Sequence, residues 1–139
     1  MAVLLDSGIL YASYDRGDDW HSRAVAILKR EKGQLIVPAP VIPEVDHLFG
    51  LRLGERARFE FYQALAEGHY FVADLERERY GRVIEINRQF AALSLGFVDA
   101  AVVAIAEQLG VRRIATTDRR DFGPLASALS LVLLPQDAG

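Results

Sequence analysis

The stretch Gly96-Phe-Val-Asp99-Ala-Ala-Val-Val-Ala-Ile-Ala-Glu107-Gln-Leu109-Gly110, with Arg113-Ile-Ala-Thr116 behind it, decides the fold. From Phe97 to Leu109 only Asp99, Glu107 and Gln108 are polar. A helix this apolar on all sides belongs in the middle of a core. Gly110 suits a helix end, and Arg113–Thr116 is a short apolar run of the kind that forms a buried strand. A buried helix feeding a short buried strand is a building unit of a parallel sheet covered on both faces.

The rest of the chain alternates in the same way. Ala2-Val-Leu-Leu5 reads as a strand that delivers Asp6 at its C-terminal end, followed by a short helix over Ser7–Tyr14. Asp18 and Asp19 can cap a helix running to Lys32, with Trp20, Ala24, Ile27 and Leu28 on one face and Gly33 closing it. Leu35-Ile-Val37 is a second strand; the prolines at 38, 40 and 43 then suit a helix start at Val41 that carries Glu44 in its opening turns. Gly54 interrupts, and Glu55–Glu67 resumes a helix with Phe59, Phe61, Tyr62 and Leu65 on a broad apolar face. Tyr70-Phe-Val72 makes a third strand, Leu75–Leu93 a long helix with Tyr80, Val83, Ile84 and Phe90 inward, and Leu131–Leu134 a fifth strand after Arg113–Thr116. The expectation is α/β, a single domain over residues 1–139, without repeat or linker.

Composition narrows the chemistry. With 51% hydrophobic and 25% charged residues the chain has the balance of a folded globular protein. It has no cysteine, which removes disulfides, thiolate zinc sites and cysteine nucleophiles. His21, His47 and His69 form no short-spaced ligand pair, so metal chemistry, if present, is oxygen chemistry. No apolar run reaches the length of a membrane span and the N-terminus lacks a basic leader, so the expected location is cytoplasmic, away from membranes. The net charge of −3 is the wrong sign for holding nucleic acid by bulk electrostatics. Against that, 14 of the 16 basic residues are arginine, whose planar fork suits phosphate, although GC-rich codon usage gives the same ratio.

Four acids stand where the hydrophobic pattern does not want them: Asp6 at a strand end, Glu44 in a proline-rich helix start, Asp99 near the head of the most apolar helix, and Asp118 at the end of the fourth strand. Buried carboxylates are costly unless paired or bound to metal. Each also has an ordinary reading. Asp6 can cap the next helix, Asp99 suits a first turn, and Asp118-Arg-Arg-Asp121 can be a solvated turn. Taken together they suit a hard divalent cation that keeps positions open for phosphate oxygens.

The segments Leu4-Leu-Asp6-Ser-Gly-Ile-Leu10, Val37-Pro-Ala-Pro-Val-Ile-Pro-Glu44-Val45, Gly96-Phe-Val-Asp99 through Glu107, and Ile114-Ala-Thr-Thr-Asp118-Arg-Arg-Asp-Phe122 resemble the PIN-domain ribonucleases, in particular bacterial toxins of the VapC type. The resemblance extends over nearly the whole chain, and the last two segments are its most specific part. It implies a three-layer α/β/α sandwich with a central, mostly parallel sheet, and RNA cleavage dependent on Mg²⁺, for which Mn²⁺ can substitute. Asp6, Glu44 and Asp99 match the family's three principal acids, Asp118 the fourth, and Thr116 the polar residue before it. Asp121 falls where the family often has another acid or a histidine, which leaves open whether Asp118 or Asp121 faces the metal. Ser7 is either a donor that orients Asp6 or an ordinary helix-start serine. Arg119 and Arg120 are the nearest candidates for RNA phosphate contact, with Arg16 and Arg52 behind them.

The resemblance further implies a small VapB-type antitoxin, an RNA substrate presented as a single-stranded loop of transfer or ribosomal RNA, and a toxin homodimer. The antitoxin is expected to lay an amphipathic helix on the Phe59–Leu65 face and to insert an Arg or Lys among Asp6, Glu44 and Asp99. Core packing is the competing use of that aromatic face. Two other enzyme classes fit less well. Haloacid-dehalogenase phosphatases want a second Asp where Gly8 stands, and receiver domains want a late lysine, whereas the only lysines are Lys29 and Lys32. The alternative from a different class is a non-catalytic PIN-fold module that binds RNA or protein.

Overall fold

A computed structural model describes residues 1–136; the last three residues of the expected domain lie outside the described residues. Five strands, β1 (Val3–Leu5), β2 (Leu35–Pro38), β3 (Phe71–Ala73), β4 (Arg113–Ala115) and β5 (Val132–Leu134), form one sheet in the order β3-β2-β1-β4-β5. Every neighbouring pair is parallel, with Leu4 opposite both Ile36 and Ile114. The three central strands are short and apolar because both faces of the sheet are covered.

Seven helices do the covering: α1 (Ser7–Tyr14), α2 (His21–Arg30), α3 (Val41–Arg52), α4 (Glu55–Ala66), α5 (Tyr80–Gln89), α6 (Gly96–Leu109) and α7 (Arg119–Leu129). The chain runs from β1 outward to β3 through α1–α4 and returns to β4 and β5 with α5–α7; the right-handed crossovers that parallel strands favour would put the two sets on opposite faces. In agreement, α1 lies against α2 and α3, α3 against α4, and α5 against α6. Residues Ala100 to Ala106 of α6 are all buried, as the apolar run requires, and Gly110 ends the helix in the left-handed conformation at φ 68°. No described helix is long and apolar enough to cross a membrane.

Beneath α1 and α3 an aromatic cluster fills the gap between the helices and β3. Phe61 is fully buried, with its ring centroid 5.5 Å from Phe49 and 6.1 Å from both Tyr14 and Tyr70. Phe59 and Tyr62, expected on the same apolar face, point to solvent, with Phe59 63% exposed.

Three readings need correction. The expected helix over Leu75–Leu93 is broken. Gln108 holds the backbone at both Asp74 and Glu76, at 3.0 and 2.9 Å, which keeps that segment extended, and α5 begins only at Tyr80. At its other end Asn87 exchanges two hydrogen bonds with the Gly96 backbone and ties the turn into α6. Within α5 the fully buried residue is Ile86; Tyr80 and Ile84 face outward, while Val83 and Phe90 pack partly against the core. The second correction is the start of α2. Asp18 accepts from the Trp20 backbone N–H at 2.8 Å, closing a turn ahead of a helix that runs from His21 only to Arg30. The third is α7, which no periodic reading of Asp118–Ser130 revealed, because Gly123 and Pro124 interrupt its pattern.

Candidate functional site

The strand order reverses between β1 and β4. From β1 the chain proceeds to β2 and β3 on one side, and from β4 to β5 on the other. Such a switch point opens a crevice at the carboxyl ends of the two diverging strands, where open α/β sheets bind ligands. Asp6 leaves β1 and Thr116 leaves β4 at this crevice, and the Asp6 N–H is held by the Ala115 carbonyl at 2.9 Å.

Asp6 is 5% exposed and Thr116 is fully buried. The Thr116 hydroxyl donates to Asp6 Oδ2 at 2.9 Å and accepts from the Asp118 N–H at the same distance. One threonine thereby ties the end of β1 to the start of α7. Asp118 caps that helix, its Oδ1 accepting from the Asp121 N–H at 3.0 Å. Asp6 does not cap α1 with its side chain. Its other oxygen, Oδ1, is buried without a hydrogen-bond partner. The Ser7 backbone amide lies near enough to Asp6 to lower its pKa. Gly8 lets the first turn of α1 approach the segment between β4 and α7, because a Cβ there would sit 2.2 Å from Thr117 Oγ1.

Asp99, in the first turn of α6, projects to the same place. Asp99, Asp118 and Asp121 each offer a carboxylate oxygen, and these oxygens lie within 4.8 Å of one another. Both of the acids between which the sequence left a choice therefore join the cluster. Asp6 and Glu44 lie outside that tight triad but close enough to repel Asp99 electrostatically. Glu44, in the opening turn of α3, is exposed, so its expected burial is not observed: the proline-rich start of α3 lies at the rim of the crevice.

The electrostatics are those of crowded acids without cations. Burial, with repulsion from Glu44 and Asp118, pushes Asp6 up to about 6 against the lowering effect of Thr116 and Ser7. Burial together with repulsion from Asp6, Asp118, Asp121 and Glu44 pushes Asp99 up to about 7. Asp121 is also raised, first by burial and then by Asp118. Among the described residues no Arg, Lys or His forms an ion pair with any of the five. An all-oxygen donor set, a partnerless buried carboxylate oxygen and unneutralised charge fit a hard divalent cation.

The arginines divide. Arg120 is exposed and near enough to Asp121 to lower its pKa. Arg119 is already engaged: its guanidinium donates to the Pro135 carbonyl and sits 5.6 Å from the ring centre of Trp20. Arg16 and Arg52 are exposed, with Arg52 5.2 Å from the Tyr11 ring. Sequence reasoning missed the bracket formed by Arg119, Trp20 and Pro135. Its members are far apart in the chain, and no local pattern joins them.

This architecture is shared. Ribonuclease VapC26 of Mycobacterium tuberculosis is 27% identical over 123 residues, spanning 88% of this chain and 91% of that protein. Among solved structures, the sarcin-ricin-loop-cleaving toxin VapC20 of Mycobacterium tuberculosis superimposes with a TM-score of 0.80 at 21% identity, covering 94% of this chain and 97% of that one. The VapBC2 complex of Rickettsia felis, solved with a promoter DNA fragment, gives 0.71 at 14% identity, over 99% and 100% of the two chains. Residues 3–126 match the PIN domain, an interval that runs from the strand before Asp6 past Asp121 and takes in all five acids, and on that match the chain belongs to the PIN-domain family.

Proposed function

We propose that this protein is a divalent-metal-dependent endoribonuclease and the toxin half of a VapBC-type toxin–antitoxin pair. One observation carries the reading: a crevice at the β1/β4 switch point gathers five carboxylates with no ion-paired cation and leaves the buried Asp6 Oδ1 without a partner. Asp99, Asp118 and Asp121 would hold Mg²⁺ or Mn²⁺, with Asp6 and Glu44 completing the acidic wall. The ion supplies Lewis-acid polarisation of a phosphodiester and activation of water at neutral pH.

The chain's own groups do the rest. Thr116 fixes the orientation of Asp6 and keeps one of its oxygens occupied, leaving the buried Oδ1 without a partner. Asp118 and Asp121 enter on one rigid helix start, which sets their spacing. Asp99 and Asp6, whose pKa values are raised in the metal-free protein, would be held in their ionised forms by a bound dication. Arg120, exposed beside Asp121, is the arginine placed to meet an RNA phosphate.

The substrate class is a single-stranded loop of structured RNA, in keeping with the ribosomal loop named for the Mycobacterium tuberculosis neighbour. The partner is a small antitoxin, a reading supported by the toxin–antitoxin complexes of similar fold, and the uncompensated acids are where it would deliver a cationic side chain. A toxin homodimer and a cytoplasmic location belong to the same reading. Purified protein should cut RNA only when Mg²⁺ or Mn²⁺ is added, leaving 5′-phosphate and 3′-hydroxyl ends, and Asp99→Asn should abolish the cut. Undiminished cutting in chelator, or cyclic-phosphate ends, would overturn the proposal.

A further inference from the structure

We infer that Arg119 is a positioning residue, and that with Trp20 and the Pro135 carbonyl it forms a latch that sets the metal-holding geometry of Asp118 and Asp121. The inference rests on the functional reading above and goes beyond it by assigning work to residues outside the acidic cluster. Arg119 is the first residue of α7, between the two acids that this helix contributes. From there its guanidinium makes two contacts. It donates to the backbone carbonyl of Pro135, just past the end of β5, and it lies over the face of Trp20, which leads into α2.

Three separate parts of the chain are joined at one side chain. A surface arginine normally keeps its rotamer freedom, and ordering it has an entropic cost. Here the side chain is partly buried, and its Nε is enclosed without a hydrogen-bond partner. That cost is tolerated only where the remaining contacts hold the group firmly, and a guanidinium combines a directional donor with a flat face that stacks on an aromatic ring. The Trp20 backbone N–H is fixed by Asp18, and the Arg23 guanidinium lies 3.9 Å from the Trp20 ring centre.

The inner side of the α7 start is held by Thr116 through the Asp118 N–H, and the outer side by Arg119. With both held, the helix start cannot pivot, and the oxygens of Asp118 and Asp121 keep their distance from Asp99. Without the latch, a helix whose interior contains Pro124 and Gly123 is free to tilt at its first turn. Loss of such an orienting contact lowers metal affinity without removing a ligand.

The test separates positioning from phosphate contact. Mn²⁺ binding is measured directly from loss of the free-ion EPR signal for the wild-type chain, Arg119→Ala, Arg119→Lys, Trp20→Ala, Trp20→Phe and Arg23→Ala. Affinity of each metal-free protein for a fluorescent single-stranded oligoribonucleotide is measured alongside, over a range of salt. Arg119→Ala should weaken Mn²⁺ binding by about 10–100-fold and leave the oligonucleotide affinity and its salt slope unchanged. Trp20→Ala should follow it in part, Arg119→Lys should recover only a fraction because lysine lacks the flat face, and Trp20→Phe and Arg23→Ala should bind Mn²⁺ as the wild type does. Unchanged Mn²⁺ affinity in Arg119→Ala, or a loss confined to oligonucleotide affinity with a shallower salt slope, overturns the inference and leaves the metal reading standing. A wild-type chain that binds no Mn²⁺ overturns the metal reading itself, and the inference with it. Should Arg119→Ala fail to fold, the Trp20→Ala and Trp20→Phe pair decides, since equal Mn²⁺ affinity in those two overturns the inference.

Discussion

Asp6→Asn should make the metal-free protein more resistant to heat relative to wild type as the pH rises, although it removes a buried acid of the site. Folding lifts the Asp6 carboxyl from its ordinary 3.8 to about 6. The folded state therefore holds this proton more tightly than the unfolded chain, so the associated stability is fully present below about pH 4 and lost as pH rises through 6. At about 1.4 kcal/mol per tenfold change, the ionised group costs the metal-free fold about 3 kcal/mol at pH 8. Asparagine has no such term. It can still accept from Thr116, but its amide NH₂ takes the place of the partnerless Oδ1 and carries an unsatisfied-donor penalty of about 1–3 kcal/mol, independent of pH.

The absolute stability of the variant is therefore a near balance, while its pH dependence is not. The stability difference between variant and wild type should move by about 3 kcal/mol in favour of the variant between pH 4 and pH 8. For a chain of 139 residues this corresponds to about 10 °C in relative melting temperature. Melting in chelator, followed by circular dichroism or calorimetry at four pH values, checks it. Parallel melting curves, with a constant offset at every pH, would refute the claim that Asp6 is a burdened acid in the absence of metal.

Asp99→Asn, Asp118→Asn and Asp121→Asn should each depress RNA cleavage at limiting Mg²⁺, and comparison of the last two at saturating Mg²⁺ ranks the two α7 acids; wild-type cleavage by any one removes it from the metal-holding set. Millimolar Mn²⁺ at about 100 times its Kd should stabilise the wild type by about 2.7 kcal/mol in thermal melts, and a triad-directed Asp99→Asn variant should lose most of that gain. Gly8→Ala forces a methyl to within 2.2 Å of Thr117 Oγ1 and should lower cleavage at least about tenfold through displacement of the β4–α7 loop, with Thr117→Ala restoring much of it in the double variant. Phe61→Ala should cost about 3–5 kcal/mol in denaturant unfolding and Phe59→Ala within about 0.5 kcal/mol, since only the former is enclosed.

Where local chemistry and tertiary structure agree, the sequence was legible. The run Ala100–Ala106 could be nothing other than a buried helix, and the strands ending in Asp6 and Thr116 follow from their apolar character and the acid or hydroxyl beside them. The association of Asp6, Glu44 and Asp99 rested on their awkward placement in apolar surroundings together with family resemblance, and the structure brings their charges into mutual reach. Legibility ended where distant groups decided the outcome. Gln108 keeps Asp74–Glu76 from joining the helix after them, and nothing near residue 75 announces it. The helix over Arg119–Leu129 did have a local signal: Asp118 with an acid three residues on is a capping pattern, and it was obscured by Gly123 and Pro124. The engagement of Arg119 had no such signal, since its two partners lie about a hundred residues before it and at the far end of β5.

The pairing of β1 with β4 has a consequence for synthesis. Asp6 leaves the ribosome 110 residues ahead of Thr116, the residue that fixes it. Until that point β1 has a neighbour on one side only, the Asp6 carboxylate has no hydroxyl to orient it, and two of the acids of the triad have not yet been made. A nascent chain therefore lacks its assembled acidic cluster until residues 116–121 have been made. An order of strands that seats the first strand beside the fourth in the middle of the sheet makes assembly of that cluster wait on slow, long-range closure.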